Sequence, residues 1–262
     1  MKLDDFAISR SIIESYTEKL LGSLKVDVAL VGAGPSNLIA GYYLAKAGLK
    51  AVIFEAKLSP GGGMWGGGMM FNDIVVQDEA LHTVEEMGIS YRPKGDGYYI
   101  MDSVEATSTI ISKCLKSGTV IFNLIKATDV LFREEAGQRK VSGIVISWSP
   151  VENLGLHVDP LSIQASFVVD GTGHPAEICR IVARKMGVKL NTRTGDVVGE
   201  MPLWAEKGEE FTVANTKEVF PGLYVAGMAA NNVFGGPRMG PIFGGMILSG
   251  RKLAELISNK TV

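Results

Sequence analysis

The amino-acid sequence predicts an α/β protein built on a parallel β-sheet, and three consecutive segments predict it. The apolar run from Lys25 to Val31 is typical of a buried strand, and the segment from Leu38 to Ala47 has the composition of a helix that ends at Gly48. A second apolar run, from Ala51 to Phe54, follows directly. Together they form a βαβ unit of about 30 residues, which is the length that a right-handed parallel crossover requires.

Length, composition and charge narrow the class of protein. The 262 residues suffice for one sizeable hydrophobic core, so we expect a single domain over residues 1–262 with inserted strands. The net charge of -2 and the scattered lysines and arginines argue against a nucleic-acid partner. We expect no membrane span and no signal peptide, since the sequence lacks a long apolar run. Two cysteines without a C-x-x-C pair favour a reducing compartment, the cytoplasm.

Further helix and strand patterns surround the βαβ unit. Apolar periodicity predicts an N-terminal helix within residues 1–22 and later helices over 77–88, 103–115, 175–186 and 241–257. Short apolar or alternating runs predict strands over 119–122, 128–133, 141–148, 163–170 and 223–226. Glycine and methionine crowd the segment 58–70, which predicts a mobile loop that closes over a substrate and excludes water.

The turn after the first predicted strand carries the clearest chemical signal. Gly32 permits a tight turn, and Gly34 lets phosphate oxygens reach the backbone at the N-terminus of the next helix. Glu55 ends the second strand, where a carboxylate accepts both hydroxyls of an adenosine ribose and disfavours a 2′-phosphate. Asn37 replaces the third glycine of the fingerprint, which predicts a helix slightly further from the strand. The arrangement predicts binding of an ADP-containing dinucleotide.

The segment FPGLYVAGM, residues 220–228, favours a Rossmann-like dinucleotide-binding fold of the flavoprotein type. It resembles the late strand of flavin-type folds, which returns beside the first glycine turn. In flavoproteins of that type this strand usually ends in Gly-Asp, and the aspartate holds the ribityl chain. Here the strand ends in Gly227-Met228, which argues against a bound flavin.

Several motifs extend a resemblance over nearly the whole chain, from about residue 10 to residue 258. They are VGAGPS, GGGMWGGG, LHVDP, DGTGH and PRMGPIFGGMILSG, in that order. Together they resemble the thiamine thiazole synthase family. The resemblance implies conversion of NAD, glycine and a sulfur source into an ADP-linked thiazole carboxylate, with release of nicotinamide. NAD is then a consumed substrate, whose opened ribose isomerises, condenses with glycine and takes up sulfur.

The motif LHVDP bears on the source of the sulfur. In eukaryotic-type members of the resembled family, a cysteine just before a V/M-D-P triplet donates its own sulfur and ends the reaction after one turnover. The matching residue here is His157, which has no sulfur to give, and neither Cys114 nor Cys179 lies in that motif. Cys114 belongs to an apolar helix face and is expected to be inert core. The resemblance therefore implies a sulfide-using, archaeal-type enzyme with multiple turnovers.

The same resemblance assigns an iron site to Asp159 and His174. One carboxylate and one imidazole suit Fe(II) and leave coordination positions open for substrate. Pro160 favours an extended backbone at Asp159, and His174 follows a predicted strand at the sheet edge where ligands of α/β sheets collect. We expect Asp159, His174 and His157 to be the catalytic residues. His157 acts either as a proton shuttle or through contact with the nucleotide.

The other contacts of the resembled family map onto further positions. Arg238 lies among Gly236, Pro237 and Gly240, and its planar guanidinium suits a bidentate contact with the glycine carboxylate. Ser36 adds a hydroxyl to a phosphate, caps the helix, or does both. The remaining positions that the resemblance assigns to NAD contact are Ala56, Gly63, Ala127, His157, Val158, Asp159 and Met228.

Other functions stay open on the sequence. A flavin- or NAD-dependent oxidoreductase would need a Gly-Asp ending near 227–228, a redox cysteine pair or a second nucleotide domain. An isomerase of the ribose-1,5-bisphosphate type would use part of the same sugar chemistry. A non-enzymatic NAD-binding scaffold would bind NAD tightly and stay inert toward glycine and sulfide. The resemblance also implies a homo-octamer in which residues near Asp159 complete a neighbour's site.

Overall fold

The predicted βαβ unit lies at the centre of the fold. The structure, a computed structural model, describes residues 2–135 and 137–261; residues 1, 136 and 262 of the predicted domain 1–262 lie outside the described residues. Helix α1 (Asp5–Gly22) precedes strand β1 (Lys25–Val31), helix α2 (Pro35–Lys46) and strand β2 (Ala51–Glu55). β1 and β2 pair in parallel, with Val28 opposite Ala51, which confirms the predicted α/β class.

The remaining helices and strands follow in chain order. They are β3 (Asp73–Gln77), α3 (Leu81–Met87), β4 (Arg92–Gly95), β5 (Tyr98–Asp102), α4 (Ser103–Lys116), β6 (Val120–Asn123), β7 (Ile125–Glu135), β8 (Gln138–Trp148), α5 (Ser149–Asn153), β9 (Leu161–Asp170), α6 (Glu177–Met186), α7 (Ala205–Ala214), β10 (Lys217–Phe220), β11 (Leu223–Val225), α8 (Met228–Phe234) and α9 (Gly244–Thr261). Single 3-10 turns lie at Gly62–Gly66 and Asp78–Ala80.

Within the described residues, eight strands form the main sheet. Six of them run in the order β10-β11-β9-β1-β2-β6, and β8 joins the N-terminal half of β9 while β7 pairs with β8. β9 lies parallel to both β1 and β11, so the carboxyl ends of β1, β2, β9 and β11 meet at one edge of the sheet. Ligands of open α/β sheets bind at that edge, where the strands are followed by loops.

Alternating side chains of the central strands fill two hydrophobic clusters, one on each face of the sheet. Along β1, Val28 and Leu30 contribute to one cluster, whereas Ala29 and Val31 contribute to the other. The first cluster packs against α2, α4 and α9, and the second packs against α6 and α8. This two-sided burial explains why the central strands are continuously apolar in sequence. No helix of the described residues is long and apolar enough to cross a membrane.

Several parts of the fold differ from the sequence prediction: helices α5, α7 and α8 and strand β10 were not predicted, and two further differences have a clear physical reason. A separate antiparallel sheet, β3-β5-β4, was not predicted, because β4 (RPKG) is exposed and lacks an apolar pattern. The final helix begins at Gly244 and not at Pro241, which was wrongly predicted to open it. Residues 241–243 bridge to β3 through hydrogen bonds of Val75 with Pro241 and Phe243, so their backbone is extended and not helical.

A cluster of hydrogen-bonded polar side chains between α2 and α3 makes the stability of the folded state depend on pH. Glu86 accepts hydrogen bonds from Tyr42, Tyr43 and Lys46 at 3.1, 2.6 and 2.7 Å. Burial alone would raise the pKa of Glu86, but these donors outweigh it and lower the pKa to about 2 from its ordinary 4.5. The folded state therefore binds the proton less tightly than the unfolded state does, and the carboxylate stabilises the fold above the unfolded pKa.

We expect the stability advantage of the wild type over Glu86→Gln to be complete above pH 4.5 and to shrink as the pH falls toward 2. Urea unfolding of both proteins at a series of pH values measures this difference. Glu206→Gln, which removes an exposed carboxylate from α7, is the matched control and should show no such loss. A Glu86→Gln difference that grows on acidification would contradict the assignment.

Candidate functional site

A cavity of about 680 Å³ opens where the four parallel strands end. Two glycine segments meet at its floor. The Gly171 N–H donates to the carbonyl of Val31 at 2.9 Å, and a Cβ on Gly32 would lie 2.6 Å from the carbonyl oxygen of Gly171. Gly32 also has a φ of +87°, so close approach and backbone conformation both require glycine there. This crossing brings the dinucleotide turn beside the DGTGH motif.

The predicted dinucleotide turn has the geometry that an anion site requires. Gly34 is the N-cap residue of α2 and Pro35 occupies its first turn, so the helix N-terminus faces the cavity. Glu55 is buried, and its carboxylate accepts hydrogen bonds from the N–H groups of Ala33 and Lys57 at 2.6 and 2.7 Å. Glu55 thus braces the turn and also lines the cavity, where a ribose would meet it.

Asn37 has a structural role that the sequence did not reveal. Its Nδ2 donates to the carbonyls of Val31 and Gly32 at 3.0 and 2.8 Å, and its side chain packs against the bare Cα of Gly171. A third glycine in the fingerprint usually allows close packing of the helix on the strand. Here Asn37 occupies that position, and its hydrogen bonds link the turn to helix α2. Gly171, directly after strand β9, has no side chain and so leaves room for Asn37.

We expect Asn37→Ala to lower the free energy of unfolding by about 2 kcal/mol, because two buried hydrogen bonds and the packing against Gly171 are lost. Urea denaturation measures the change. Asn153→Ala, at an exposed position in α5, is the control and should be neutral. Equal stability of the Asn37 variant and the wild type would show that these hydrogen bonds contribute nothing.

The structure brings most of the predicted NAD-contact residues together around this cavity. Its lining includes the following predicted residues: Gly32, Gly34, Ser36, Glu55, Ala56, Gly63, Ala127 and Met228. Met228 is buried at the start of α8, directly after Gly227. These residues come from five separate segments of the chain, so only the fold assembles them. Their contact with NAD stays a prediction.

His174 and Arg238 also line the cavity, and a third charged residue, Glu200, lies beside both of them. His174 Nδ1 lies 2.5 Å from Oε1 of Glu200, and Arg238 Nε lies 3.9 Å from its Oε2. The side chains of His174 and Arg238 are about half exposed, whereas that of Glu200 is only 16% exposed. Glu200 was missed in the sequence because its segment, GEMPLW, contains no recognisable motif.

The segment that carries His157, Val158 and Asp159 lies elsewhere. It connects α5 to β9, its residues are exposed, and it does not contribute to the lining of the cavity. Val158 is 58% exposed, in line with other apolar side chains of the segment. Among residues 2–135 and 137–261, no three His, Cys, Asp or Glu side chains form a metal-binding group. Asp159 does not contribute to the lining of the cavity that His174 lines.

Both cysteines are buried away from this cavity. Burial raises the pKa of the Cys114 thiol to about 12 and that of the Cys179 thiol well above its ordinary range. Cys114 packs between α2 and α4 in the hydrophobic core, as predicted. A buried, protonated thiol is a poor nucleophile, so neither residue has the properties of a sulfur donor.

The glycine- and methionine-rich segment 58–70 forms one wall of the cavity. Gly62 packs against the bare Cα of Gly34, and Gly63 and Gly67 also line the cavity. Met64 is buried, whereas Met69 and Met70 are more than four-fifths exposed and have positive φ angles of 52° and 61°. The segment lies beside the cavity, at the position that a loop closing over a bound substrate would occupy. Its predicted mobility stays a prediction.

Comparisons with known proteins cover the whole chain. Residues 9–243 match the Thi4 family. A thiamine thiazole synthase of Methanothermobacter thermautotrophicus is 56% identical over 260 residues, and one of Pyrococcus horikoshii is 54% identical over 258 residues; at least 98% of each chain is covered. The crystal structure of Thermovibrio ammonificans THI4 superposes with a TM-score of 0.98 at 55% identity, covering 99% of both chains. The chain belongs to the Thi4 family.

Proposed function

We propose that the protein is a thiamine thiazole synthase that converts NAD, glycine and sulfide into an ADP-linked thiazole carboxylate and releases nicotinamide. One observation carries the proposal. A single cavity is lined by the dinucleotide turn and also by an imidazole and a guanidinium that share one carboxylate partner, Glu200. A dinucleotide anchored at the turn would present its second ribose to His174 and Arg238. Close relatives named thiamine thiazole synthase agree with it.

The residues of the cavity have separable tasks in this proposal. The N-terminus of α2 binds the pyrophosphate through the free N–H groups of its first turn, and the Glu55 carboxylate accepts the adenosine ribose hydroxyls. Arg238 binds the glycine carboxylate through its guanidinium fork, which holds the amine toward the dinucleotide. Binding both substrates in one cavity replaces a bimolecular encounter with a positioned reaction.

The donor set also suits Fe(II), with one ligand supplied by a neighbour. Because Nδ1 of His174 faces Glu200, its Nε2 is free to bind a metal in the cavity. We propose Asp159 of a second copy as the other protein ligand, since Asp159 is exposed and outside its own cavity. When bound there, Fe(II) would lower the proton affinity of the glycine nitrogen and of hydrosulfide.

Apolar side chains around Asp159 support the participation of a second copy. Leu154, Leu156 and Val158 are 73%, 55% and 58% exposed, which is unusual for three apolar residues within five positions. A homo-oligomer, which we propose to be the predicted octamer, would cover them and carry Asp159 to a neighbouring cavity. His157 then lies at the same contact between two copies, and this position is compatible both with contact with the nucleotide and with proton transfer.

The proposal makes sulfide the sulfur source and the enzyme a multiple-turnover catalyst. His157 stands where a donor cysteine would be needed, and both cysteines are buried thiols with raised pKa values. Neither cysteine lines the cavity, so in this proposal the reaction takes no sulfur from a cysteine of the chain. We propose that this chemistry takes place in a reducing cytoplasm.

Labelled glycine tests the proposed function. Protein purified anaerobically is incubated with Fe(II), NAD, sulfide and [13C]glycine, and the products are separated for mass spectrometry. We expect free nicotinamide and an adenylated product that contains the glycine carbons. Formation of NADH would favour an oxidoreductase, and unchanged NAD despite tight binding would favour a scaffold. A second incubation, with ribose-1,5-bisphosphate alone, tests the isomerase, which would be favoured by isomerisation there together with no glycine incorporation in the first.

A further inference from the structure

Glu200 contacts two charged or polar side chains that line the cavity, those of His174 and Arg238. One carboxylate oxygen lies 2.5 Å from Nδ1 of His174, and the other lies 3.9 Å from Nε of Arg238. One carboxylate oxygen is hydrogen-bonded and the other forms a long ion pair, and only 16% of the Glu200 side chain is exposed, so Glu200 faces mainly its two partners. Glu200 is absent from the lining of the cavity, so it acts on a substrate only through His174 and Arg238.

The backbone around Glu200 is built to place this carboxylate. Residues 198–204 run beside residues 232–238 through hydrogen bonds from Gly199 N–H to Asn232, from Met201 N–H to Gly236 and from Arg238 N–H to Met201. The two segments approach so closely that a Cβ on Gly235 would lie 2.6 Å from Cγ1 of Val198. Glu200 and Arg238 therefore belong to one hydrogen-bonded unit with a defined spacing.

His174 is tied to the same unit at a second point. The side-chain amide of Asn232 donates to the backbone carbonyl of His174, and the guanidinium of Arg180 donates to the Asn232 oxygen at 3.4 Å. Both the backbone and the ring of His174 are thus fixed by residues of the 198–204 and 232–238 segments. An exposed histidine on a glycine-rich loop would otherwise be free to rotate.

We propose that Glu200 is a positioning residue that sets the tautomer and direction of His174 and the direction of the Arg238 guanidinium. This inference rests on the proposed function, in which His174 binds Fe(II) and Arg238 binds the glycine carboxylate. A carboxylate only accepts hydrogen bonds, so Nδ1 of His174 carries the proton and Nε2 presents its lone pair to the cavity. A carboxylate that accepts a hydrogen bond from a metal-binding imidazole also raises the basicity of that imidazole.

The same contact leaves the reactive face of Arg238 free. Glu200 lies on the Nε side of the guanidinium, so the two terminal nitrogens can point into the cavity as a fork. A carboxylate substrate fits that fork with two parallel hydrogen bonds. One largely shielded carboxylate thereby aligns a metal ligand and a substrate clamp, and loss of its charge should weaken binding of iron and of glycine but not of NAD.

Two equilibrium measurements and one kinetic measurement test the inference on the full-length protein. Glu200→Gln keeps the shape of the side chain, and Glu206→Gln, six residues along the chain and exposed, makes the same charge change as a control. We expect Glu200→Gln to weaken Fe(II) binding about 10- to 100-fold and to raise the KM for glycine, with an unchanged Kd for NAD. Glu206→Gln should match the wild type in all three.

The histidine tautomer provides a readout that needs neither metal nor turnover. The chain has three histidines, so 15N-edited NMR of the metal-free protein can assign the His174 ring with a His174→Asn variant. We expect the Nδ1–H tautomer in the wild type and its loss in Glu200→Ala. Unchanged Fe(II) affinity together with an unchanged tautomer would overturn the inference. If the wild type forms no thiazole, the proposed function fails, and these two measurements still decide the role of Glu200.

Discussion

Replacing Gly32 with alanine is expected to destabilise the protein by about 2–5 kcal/mol, a large share of the total stability of a domain of this size. A residue other than glycine at a φ of +87° costs about 1–2 kcal/mol. The new Cβ would also lie 2.6 Å from the carbonyl oxygen of Gly171, and the backbone that follows β1 and β9 would have to move, which costs about 1–3 kcal/mol more. Thermal and urea unfolding measure the loss.

Gly34→Ala is the matched control, and it separates folding from binding. Gly34 has a φ of -72°, and a Cβ there would be 4.0 Å from its nearest neighbour, the carbonyl oxygen of Gly171. We therefore expect Gly34→Ala to unfold like the wild type but to bind NAD at least about tenfold more weakly, because the methyl group occupies the space of the pyrophosphate. Tight NAD binding by folded Gly34→Ala would show that the phosphates lie elsewhere.

Mixing two inactive variants is expected to restore activity if a second copy completes the site. His174→Ala and Asp159→Ala should each lower thiazole formation by at least about 100-fold, since each removes a proposed iron ligand. In mixed oligomers some sites combine His174 of an Asp159→Ala chain with Asp159 of a His174→Ala chain. For random assembly about one site in four is complete, so activity should return to about a quarter of the wild-type value.

The control for this experiment mixes His174→Ala with a chain that carries both substitutions. No site in that mixture has His174, so we expect no recovery. His82→Ala, at an exposed position on α3, should keep full activity and shows that loss of a histidine is not in itself harmful. Absence of recovery in co-assembled, folded His174→Ala and Asp159→Ala chains would refute an iron site shared between two copies.

The central part of the fold was predictable because buried parallel strands are apolar on both faces. β1 and β2 are continuous runs of that kind, and the glycine turn between β1 and α2 marks their connection. Exposed elements gave no such signal. β4 has no buried residue, and the start of α9 is displaced because residues 241–243 pair with a strand more than 160 positions earlier.

The candidate site likewise contains residues that a local motif predicts and residues that only the fold brings together. Gly32, Gly34 and Glu55 are close in sequence and follow a known spacing, so their role could be inferred from sequence alone. Glu200 has no motif, and its proximity to His174 and Arg238 arises from pairing between distant loops. The functions of His157 and Asp159 were suggested only by resemblance, since their exposed segment contacts nothing in its own cavity.

The sulfide requirement tests the central claim most directly. Anaerobic protein is supplied with Fe(II), NAD and glycine, with or without sulfide, and the adenylated thiazole formed per chain is counted by mass spectrometry. We predict many equivalents of thiazole per chain with sulfide and none without it, because no accessible cysteine can supply sulfur. A single equivalent that forms without sulfide and leaves a chain lighter by one sulfur would contradict the account, as would no thiazole from folded protein that binds NAD.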